Sequence, residues 1–348
     1  MLNLKQPVLG ITATILVMAF SLGLISLFDF PTFSGWVAYG LLCIIPMEIV
    51  IGVTWGCKYP KFAASQKQPL QGLLLVLVTA VVGIVVGVTY FYTVGGGLGP
   101  PTPMLAHATI VSVVITFWAA IMWGGWPFTL LKNPIATGLT LLVACYAVNY
   151  LLFLAFYDYS FMADAPVYVA SLDPGGLFNA WNALVFYVTA LAAMFLMLHF
   201  DLWPLTLSPG LMKQPMLGAV WTLVVLVLGG VAFHVGVNVL GMDVVRFLVT
   251  VPIPFIFGTI VVLNMLQGSL FAEFKQPVKG AASAVTAIIV GAVLARLYGA
   301  LAPVVTGTLG SGPPAYEFEI WVASALLSVT FPFLVFCADF FKMWPLRR

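Results

Sequence analysis

One carboxylate in this sequence stands where a charge is costly. Glu48 lies midway along the apolar run 36–56 and has only apolar neighbours. Hydrocarbon gives a carboxylate no hydrogen bonds, so the group must be paired or protonated if the run crosses a membrane. A glutamate that gains and loses a proton in such a place is what a proton-coupled carrier needs. The alternative is a permanently protonated glutamate that holds two helices together through a hydrogen bond.

Three further polar residues fall within apolar runs and are candidates for a polar path, namely Asn149, Asn264 and Arg296. Asparagine also serves as a hydrogen bond between helices. Arg296 lies near one end of its run, where it could attract an anion or pair with Glu317 or Glu319 from the following loop. A long side chain in that position also commonly extends to the membrane surface.

Two histidines, His107 and His234, lie near the ends of apolar runs, and two histidines at one depth could ligate a b-type haem or another metal. The sequence has no Cys-x-x-Cys, no Cys/His cluster and no Gly-rich phosphate loop to support such a site. No cofactor is therefore predicted, with haem b kept as the open alternative. No Ser/His/Asp arrangement is recognisable, so we expect a protein that is not an enzyme.

Composition assigns the chain to a membrane. Of its 348 residues, 62% are hydrophobic and 7% are charged, whereas soluble proteins carry about 25% charged residues. Runs such as 70–92 and 105–126 are long enough to cross roughly 30 Å of hydrocarbon as helices. These features predict an all-α, polytopic membrane protein whose surroundings are a lipid bilayer, with no nucleic acid as a partner.

A recurring tripeptide divides the chain into five helical hairpins. Each copy precedes an apolar run, and a glycine follows the proline by three residues in four copies and by four in the other. The copies are Lys5-Gln6-Pro7, Lys67-Gln68-Pro69, Lys132-Asn133-Pro134, Lys213-Gln214-Pro215 and Lys275-Gln276-Pro277. Proline is tolerated in the first helical turn and lysine anchors at the headgroups. The predicted spans are 8–27, 36–56, 70–92, 105–126, 135–156, 181–200, 216–237, 247–271, 280–302 and 320–341.

Lysine and arginine give an orientation. The motif lysines, together with Lys58, Lys61, Lys279, Lys342, Arg347 and Arg348, fall on one side of the predicted hairpins, while Arg246 and Arg296 do not. The positive-inside rule makes the basic side cytoplasmic, with both termini on it. The predicted location is the bacterial inner membrane.

Spacing also suggests a duplication. Pro7 and Pro215, like Pro69 and Pro277, are 208 positions apart. We therefore expect a four-helix unit over 1–134, a central hairpin with a long outer loop over 135–212, and a second four-helix unit over 213–348. Both copies begin on the same side, which disfavours inverted repeats.

Three prolines lie inside even-numbered spans, namely Pro46, Pro254 and Pro332. Each frees a carbonyl and can kink its helix, and a kink can line a cavity. Kinks are also common in membrane helices that bind nothing.

The sequence favours a transporter or channel for a small solute, coupled to protons through Glu48. The scarcity of polar residues within spans favours an alternative, a non-catalytic membrane anchor or quinone-contacting subunit of a larger complex. A membrane enzyme or b-type cytochrome is the third hypothesis.

Overall fold

The computed structural model of the protein describes residues 4–347, so residues 1–3 and Arg348 lie outside it. Ten helices in the described part are long and apolar enough to cross a membrane, which confirms the predicted fold class. We number them as spans 1 to 10. Their bounds are Val8–Ile25, Phe30–Thr54, Leu70–Thr93, Pro103–Met122, Pro134–Phe156, Ala180–His199, Met216–Val239, Val244–Met265, Val278–Val305 and Glu317–Phe340.

Outside the spans the described chain forms short turns and one small strand pair. Strands β1 (Tyr157–Asp158) and β2 (Phe178–Asn179) run parallel and close the base of the long loop between spans 5 and 6. Span 8 ends before the predicted residue 271, because Gln267 and Gly268 adopt left-handed backbone conformations and Ser269–Phe271 forms a separate 3-10 turn.

Local sequence explains where several spans begin. Thr102 and Asn133 cap spans 4 and 5 through their side chains, and a proline follows each as the first helical residue. Asp243 caps span 8 in the same way, accepting hydrogen bonds from two backbone N–H groups. Such caps satisfy N–H groups that a helix cannot satisfy itself, which matters most where water is absent.

Burial divides the ten spans into two layers. In the most apolar stretch of each odd-numbered span, 17% to 39% of residues are buried, whereas the even-numbered spans have 61% to 72% buried. Each hairpin therefore contributes one outer helix, with an apolar face left for lipid, and one inner helix.

The inner helices form a closed ring. Spans 2, 4, 6, 8 and 10 contact one another in that order, and span 10 contacts span 2. Each outer span packs against at least two inner ones: span 3 against 2 and 10, span 5 against 4 and 2, span 7 against 6 and 4, span 9 against 8, 10 and 6, and span 1 against 10 and 8. One contact pattern thus recurs around the ring. The division into 1–134, 135–212 and 213–348 stays a prediction.

The tripeptide motif forms part of this pattern. In four hairpins its glutamine donates a hydrogen bond to the last carbonyl of an inner span, a contact we call the glutamine clamp. The four clamps are Gln6 to Met265 O (2.9 Å), Gln68 to Phe340 O (2.6 Å), Gln214 to Met122 O (2.9 Å) and Gln276 to His199 O (3.1 Å). These carbonyls lie at helix ends, where no intrahelical donor reaches them. The third motif has Asn133 instead, and there the Trp55 indole donates to Pro134 O (2.6 Å).

The motif glycines allow the same close approach. A Cβ on Gly72, Gly218 or Gly280 would overlap the ring of Phe341, Trp123 or Phe200, each the residue directly after an inner span. Gly138 meets Trp55 in the same way. Glycine is therefore required at these positions by packing.

The inner helices are irregular near their ends. Spans 2, 4, 8 and 10 finish in π-helical turns, at Val50–Thr54, Trp118–Met122, Ile260–Met265 and Phe336–Phe340. Such turns insert a residue into the helix and redirect the side chains that follow.

Candidate functional site

The predicted acid is fully buried. Glu48 lies in the regular helix Ala38–Ile49 of span 2, directly before the π-helical turn, and only 1% of its surface is exposed. Within residues 4–347, neither of its carboxylate oxygens has a hydrogen-bond partner. A buried carboxylate without donors is stable only in its neutral, protonated form.

A second acid lies across from it on span 10. Asp339 belongs to the π-helical turn Phe336–Phe340 and is partly buried. Its Oδ2 would lie 3.5 Å from a Cβ placed on Gly52, one helical turn beyond Glu48. The carboxyl group of Asp339 is close enough to interact with Glu48, and the side chain of Asn264 on span 8 lies near Asp339. Three inner spans therefore bring polar groups to one place.

The acid pair lies near the lysine face, which we define as the side of the membrane bearing Lys5, Lys67, Lys132, Lys213 and Lys275. Cys57 follows span 2 on that face, and burial raises the pKa of its thiol to about 12, with the charge of Asp339 adding to the effect. Asp339 is one residue from the end of span 10, whereas Glu48 is six residues from the end of span 2. Asp339 thus lies nearer the surface and Glu48 deeper.

Within the described residues 4–347, no cation forms an ion pair with either acid. The one ion pair among residues 4–347 joins Lys279, in the first turn of span 9, to Asp201 in the loop after span 6. Two carboxylates that interact in a medium of low dielectric titrate as a pair and do not both ionise readily. The chemistry open to this site is therefore the holding and transfer of a proton.

Aromatic side chains close the centre of the ring. Phe117 on span 4 packs edge-on against Phe195 on span 6 (5.4 Å between centroids) and Phe331 on span 10 (6.0 Å). Because spans 4 and 10 are not neighbours in the ring, the Phe117–Phe331 contact crosses its interior. These aromatic rings therefore occupy part of the ring's interior at that level.

The other predicted polar residues lie apart from the acid pair, with the exception of Asn264. Asn149 donates hydrogen bonds to Tyr90 Oη (2.7 Å) and to Ala108 O (2.8 Å), which ties span 5 to spans 3 and 4. Its Oδ1 is buried without a donor among the described residues.

Arg296 is exposed on the outer span 9 and forms no ion pair within residues 4–347. The predicted partners are used locally. Glu317 accepts from the N–H of Gly310, and Glu319 accepts from Ser311 Oγ at 2.6 Å. Position and exposure fit an arginine that extends to the membrane surface.

The two histidines proposed as ligands occupy different environments. His107 is buried beneath the long loop, where its Nδ1 lies 3.1 Å from Tyr159 Oη and its ring packs against Trp181. His234 is exposed on span 7 and pairs with Asn238. Across residues 4–347, no group of three or more His, Cys, Asp or Glu could hold a metal ion.

The three prolines interrupt their helices in different ways. Pro46 lies inside a continuous helix, two residues before Glu48. Pro254 follows a break at Val251 that separates Val244–Thr250 from Pro252–Thr259. Pro332 begins a regular turn after the π-helical segment Ser324–Thr330. The irregular segments of spans 2 and 10 flank the acid pair.

Sequence reasoning missed Asp339. The residue lies in the predicted span 320–341, but only three positions from Lys342, so it resembles one of the charges that end a span. Asp339 is a candidate site residue because it lies opposite Glu48, and that position depends on the contact between spans 2 and 10. The signal that could have identified Asp339 in the sequence is a charged residue inside a predicted span, whatever its distance from the end of that span.

Comparison of the chain with models of known protein families, with curated proteins and with solved structures yields no match.

Proposed function

We propose that this protein is a proton-coupled transporter of a small solute, in which Glu48 takes up and releases the proton. The observation that carries the proposal is a fully buried carboxylate without a hydrogen-bond donor among the described residues, next to a second carboxylate. A group with a structural role alone would gain from being hydrogen-bonded or apolar, because an unsatisfied buried polar group is costly.

Asp339 completes the proposed route. It lies between Glu48 and the lysine face and is less buried, so it can exchange protons with water and pass them inward. The lysine bias makes that face cytoplasmic in a bacterial inner membrane, with both termini inside. The aromatic contacts of Phe117 then require the inner spans to rearrange before solute passes.

The test is solute-driven proton flux into proteoliposomes that contain a pH-sensitive dye. The probes are a neutral amino acid, a hexose, a dicarboxylate and inorganic phosphate. The wild type should move protons with at least one probe, and Glu48→Gln should abolish that flux. Glu273→Gln is the matched control, because Glu273 is an exposed acid in the loop before span 9. Flux that persists in Glu48→Gln contradicts the proposal.

Infrared spectroscopy tests the protonation of Glu48 without a known solute. The wild type should show the C=O stretch of a protonated carboxyl group at neutral pH, and Glu48→Gln should lose it while Glu273→Gln keeps it. A spectrum without that band in the wild type contradicts a protonated Glu48.

The packed ring favours a second candidate, a non-catalytic membrane subunit that anchors partners or contacts quinone. Phe117, Phe195 and Phe331 fill the interior as a structural core would. This candidate predicts stable partner proteins after purification in mild detergent and no proton flux from the isolated chain with any probe. Flux from the isolated chain decides for the transporter.

A further inference from the structure

A cavity of about 390 Å³ opens at the lysine face, where span 3 begins and spans 8 and 10 end. Two cationic side chains, Lys342 and Arg347, line it together with Gln267 and Trp344, and Phe341 gives it an apolar wall. It lies at the depth of the motif lysines, which is the headgroup level of the bilayer.

Among residues 4–347, no acid neutralises these two cations. Both are exposed, and neither forms an ion pair within residues 4–347. Arg347 donates one hydrogen bond, to Gln267 Oε1 at 3.3 Å. A guanidinium has five N–H donors and an ammonium has three, so most of the donors in this cavity are free for a ligand.

The equivalent position on span 6 shows the contrast. Asp201 and Lys342 each begin a pair of left-handed residues two positions after the last residue of an inner span. Asp201 is neutralised by Lys279 of the packed outer helix, at 2.8 Å. Lys279 lies two residues after its motif proline, and the corresponding residue of span 3 is Gln71, which carries no charge. Among residues 4–347, the charge is balanced by an ion pair at the span 6 junction and not at the span 10 junction.

We propose that this cavity binds the phosphate of an anionic phospholipid headgroup. A lysine, an arginine and an interfacial tryptophan next to a lipid-facing helix match that ligand, since basic pockets between spans bind anionic headgroups. Gln68, which lines the cavity, leads into span 3, and Leu70, Leu73 and Leu77 are exposed along that helix and give the acyl chains an apolar surface. A free phosphate shares the headgroup chemistry but not this second contact.

The test measures binding of phosphatidylglycerol to the purified, full-length protein by native mass spectrometry. Each cation contributes about fivefold in affinity near an anionic headgroup, so the Lys342→Gln, Arg347→Gln double variant should bind on the order of 30-fold more weakly. Lys279→Gln is the matched control and should bind the lipid like the wild type, because Lys279 already forms an ion pair with Asp201. The melting temperature without lipid verifies that each variant folds.

The proposal is overturned by equal affinity for phosphatidylglycerol and phosphatidylcholine, by unchanged binding in the folded double variant, or by an equal loss in Lys279→Gln. Inorganic phosphate is a further probe. If phosphate at a concentration equal to that of the lipid prevents phosphatidylglycerol from binding, the cavity is a free-anion site and the lipid assignment is wrong. The single variants Lys342→Gln and Arg347→Gln should each lose about fivefold.

Discussion

The side-chain amide of Gln68 donates a hydrogen bond of 2.6 Å to the backbone carbonyl of Phe340, so the turn that leads into span 3 holds the last residue of span 10. The Oε1 of the same side chain accepts from the N–H of Gly72 at 3.3 Å. One side chain therefore satisfies a free carbonyl on the inner helix and a free N–H on the outer helix. The same contact anchors the end of the π-helical turn Phe336–Phe340, which contains Asp339.

Replacing Gln68 with alanine should destabilise the protein, because the Phe340 carbonyl loses its donor at a partly buried position. The expected loss is about 1–2 kcal/mol in the free energy of unfolding, measured by denaturant titration in detergent. Gln66→Ala is the control, since Gln66 is exposed and bonds only within its own turn. An equal loss in the control would show that the clamp contributes nothing.

Spans 8 and 9 approach most closely at two glycines. A Cβ on Gly291 would overlap the Pro254 carbonyl, and one on Gly258 would overlap the Ala287 carbonyl. Gly291→Ala should therefore cost about 1–3 kcal/mol, because backbone atoms cannot move aside as a side-chain end can. Gly23→Ala should cost nothing, since no atom lies within 4 Å of its position. Equal melting temperatures for both variants would contradict this packing.

Acid should weaken the Asp201–Lys279 pair. Partial burial acts to raise the pKa of Asp201, but hydrogen bonds from Lys279 and Gln276 outweigh it and hold the pKa below its ordinary value. A lowered pKa stabilises the fold above the unfolded-state value of about 3.9 and loses that contribution as pH falls through the folded-state value. Because Asp201 is exposed, the contribution should stay below about 1 kcal/mol.

The measurement is a double-mutant cycle of Asp201→Asn and Lys279→Gln at pH 6 and pH 3. The coupling free energy should be present at pH 6 and smaller at pH 3. Coupling that grows as the pH falls has the wrong sign for a lowered pKa.

The ten spans were predictable because each one carries its own signal. A membrane helix must satisfy its backbone within one segment, so a run of apolar residues is sufficient to identify it. The lysine and proline of each motif likewise mark a helix start through local physics. The ends of span 8 were less predictable, since the left-handed conformation of Gln267 is not typical of that residue.

Contacts between spans were not predictable from the same signals. The glutamine and glycine of the motif contact an inner span far away in the chain, as Gln68 does with Phe340. The neighbouring sequence does not indicate which inner span that is. The pairing of Glu48 with Asp339 depends on the same ring order. For this reason Glu48 could be selected from its depth alone, while Asp339 could not.

The native cysteines should react only slowly with thiol reagents. Burial holds the Cys57 thiol at a pKa of about 12, so only on the order of one in ten thousand molecules carries its thiolate at pH 8. Cys43 and Cys145 are buried, and Cys337 lies within span 10. Ellman's reagent should react slowly with the folded protein and with all four thiols after denaturation. Fast reaction of one thiol in the folded state would contradict this burial.

Because the native cysteines react slowly, single introduced cysteines can report the orientation of the protein in the membrane without removal of the native ones. Ser208 and Ala163 are exposed in loops on opposite faces of the ten-span bundle. An impermeant maleimide added to intact cells should label Ala163→Cys and leave Ser208→Cys unlabelled until the membrane is opened. The reverse result would place the lysine face outside.

If the proposed proton route is correct, Asp339→Asn should slow proton exchange between Glu48 and the lysine face without changing the fold. Positioned carboxyl groups accelerate proton transfer by about 100-fold or more, so the solute-driven flux should fall by at least about tenfold when protons enter from that face. When protons enter from the opposite face, the flux of the first turnover should fall less, because Glu48 then receives its proton without passing it through Asp339. Gly52→Ala is the matched control: its methyl group would lie at an ordinary contact distance of 3.5 Å from Asp339 Oδ2 and leaves both acids in place. Equal slowing from both faces, or equal slowing in Gly52→Ala, would assign Asp339 to packing and leave Glu48 to exchange its proton by another path.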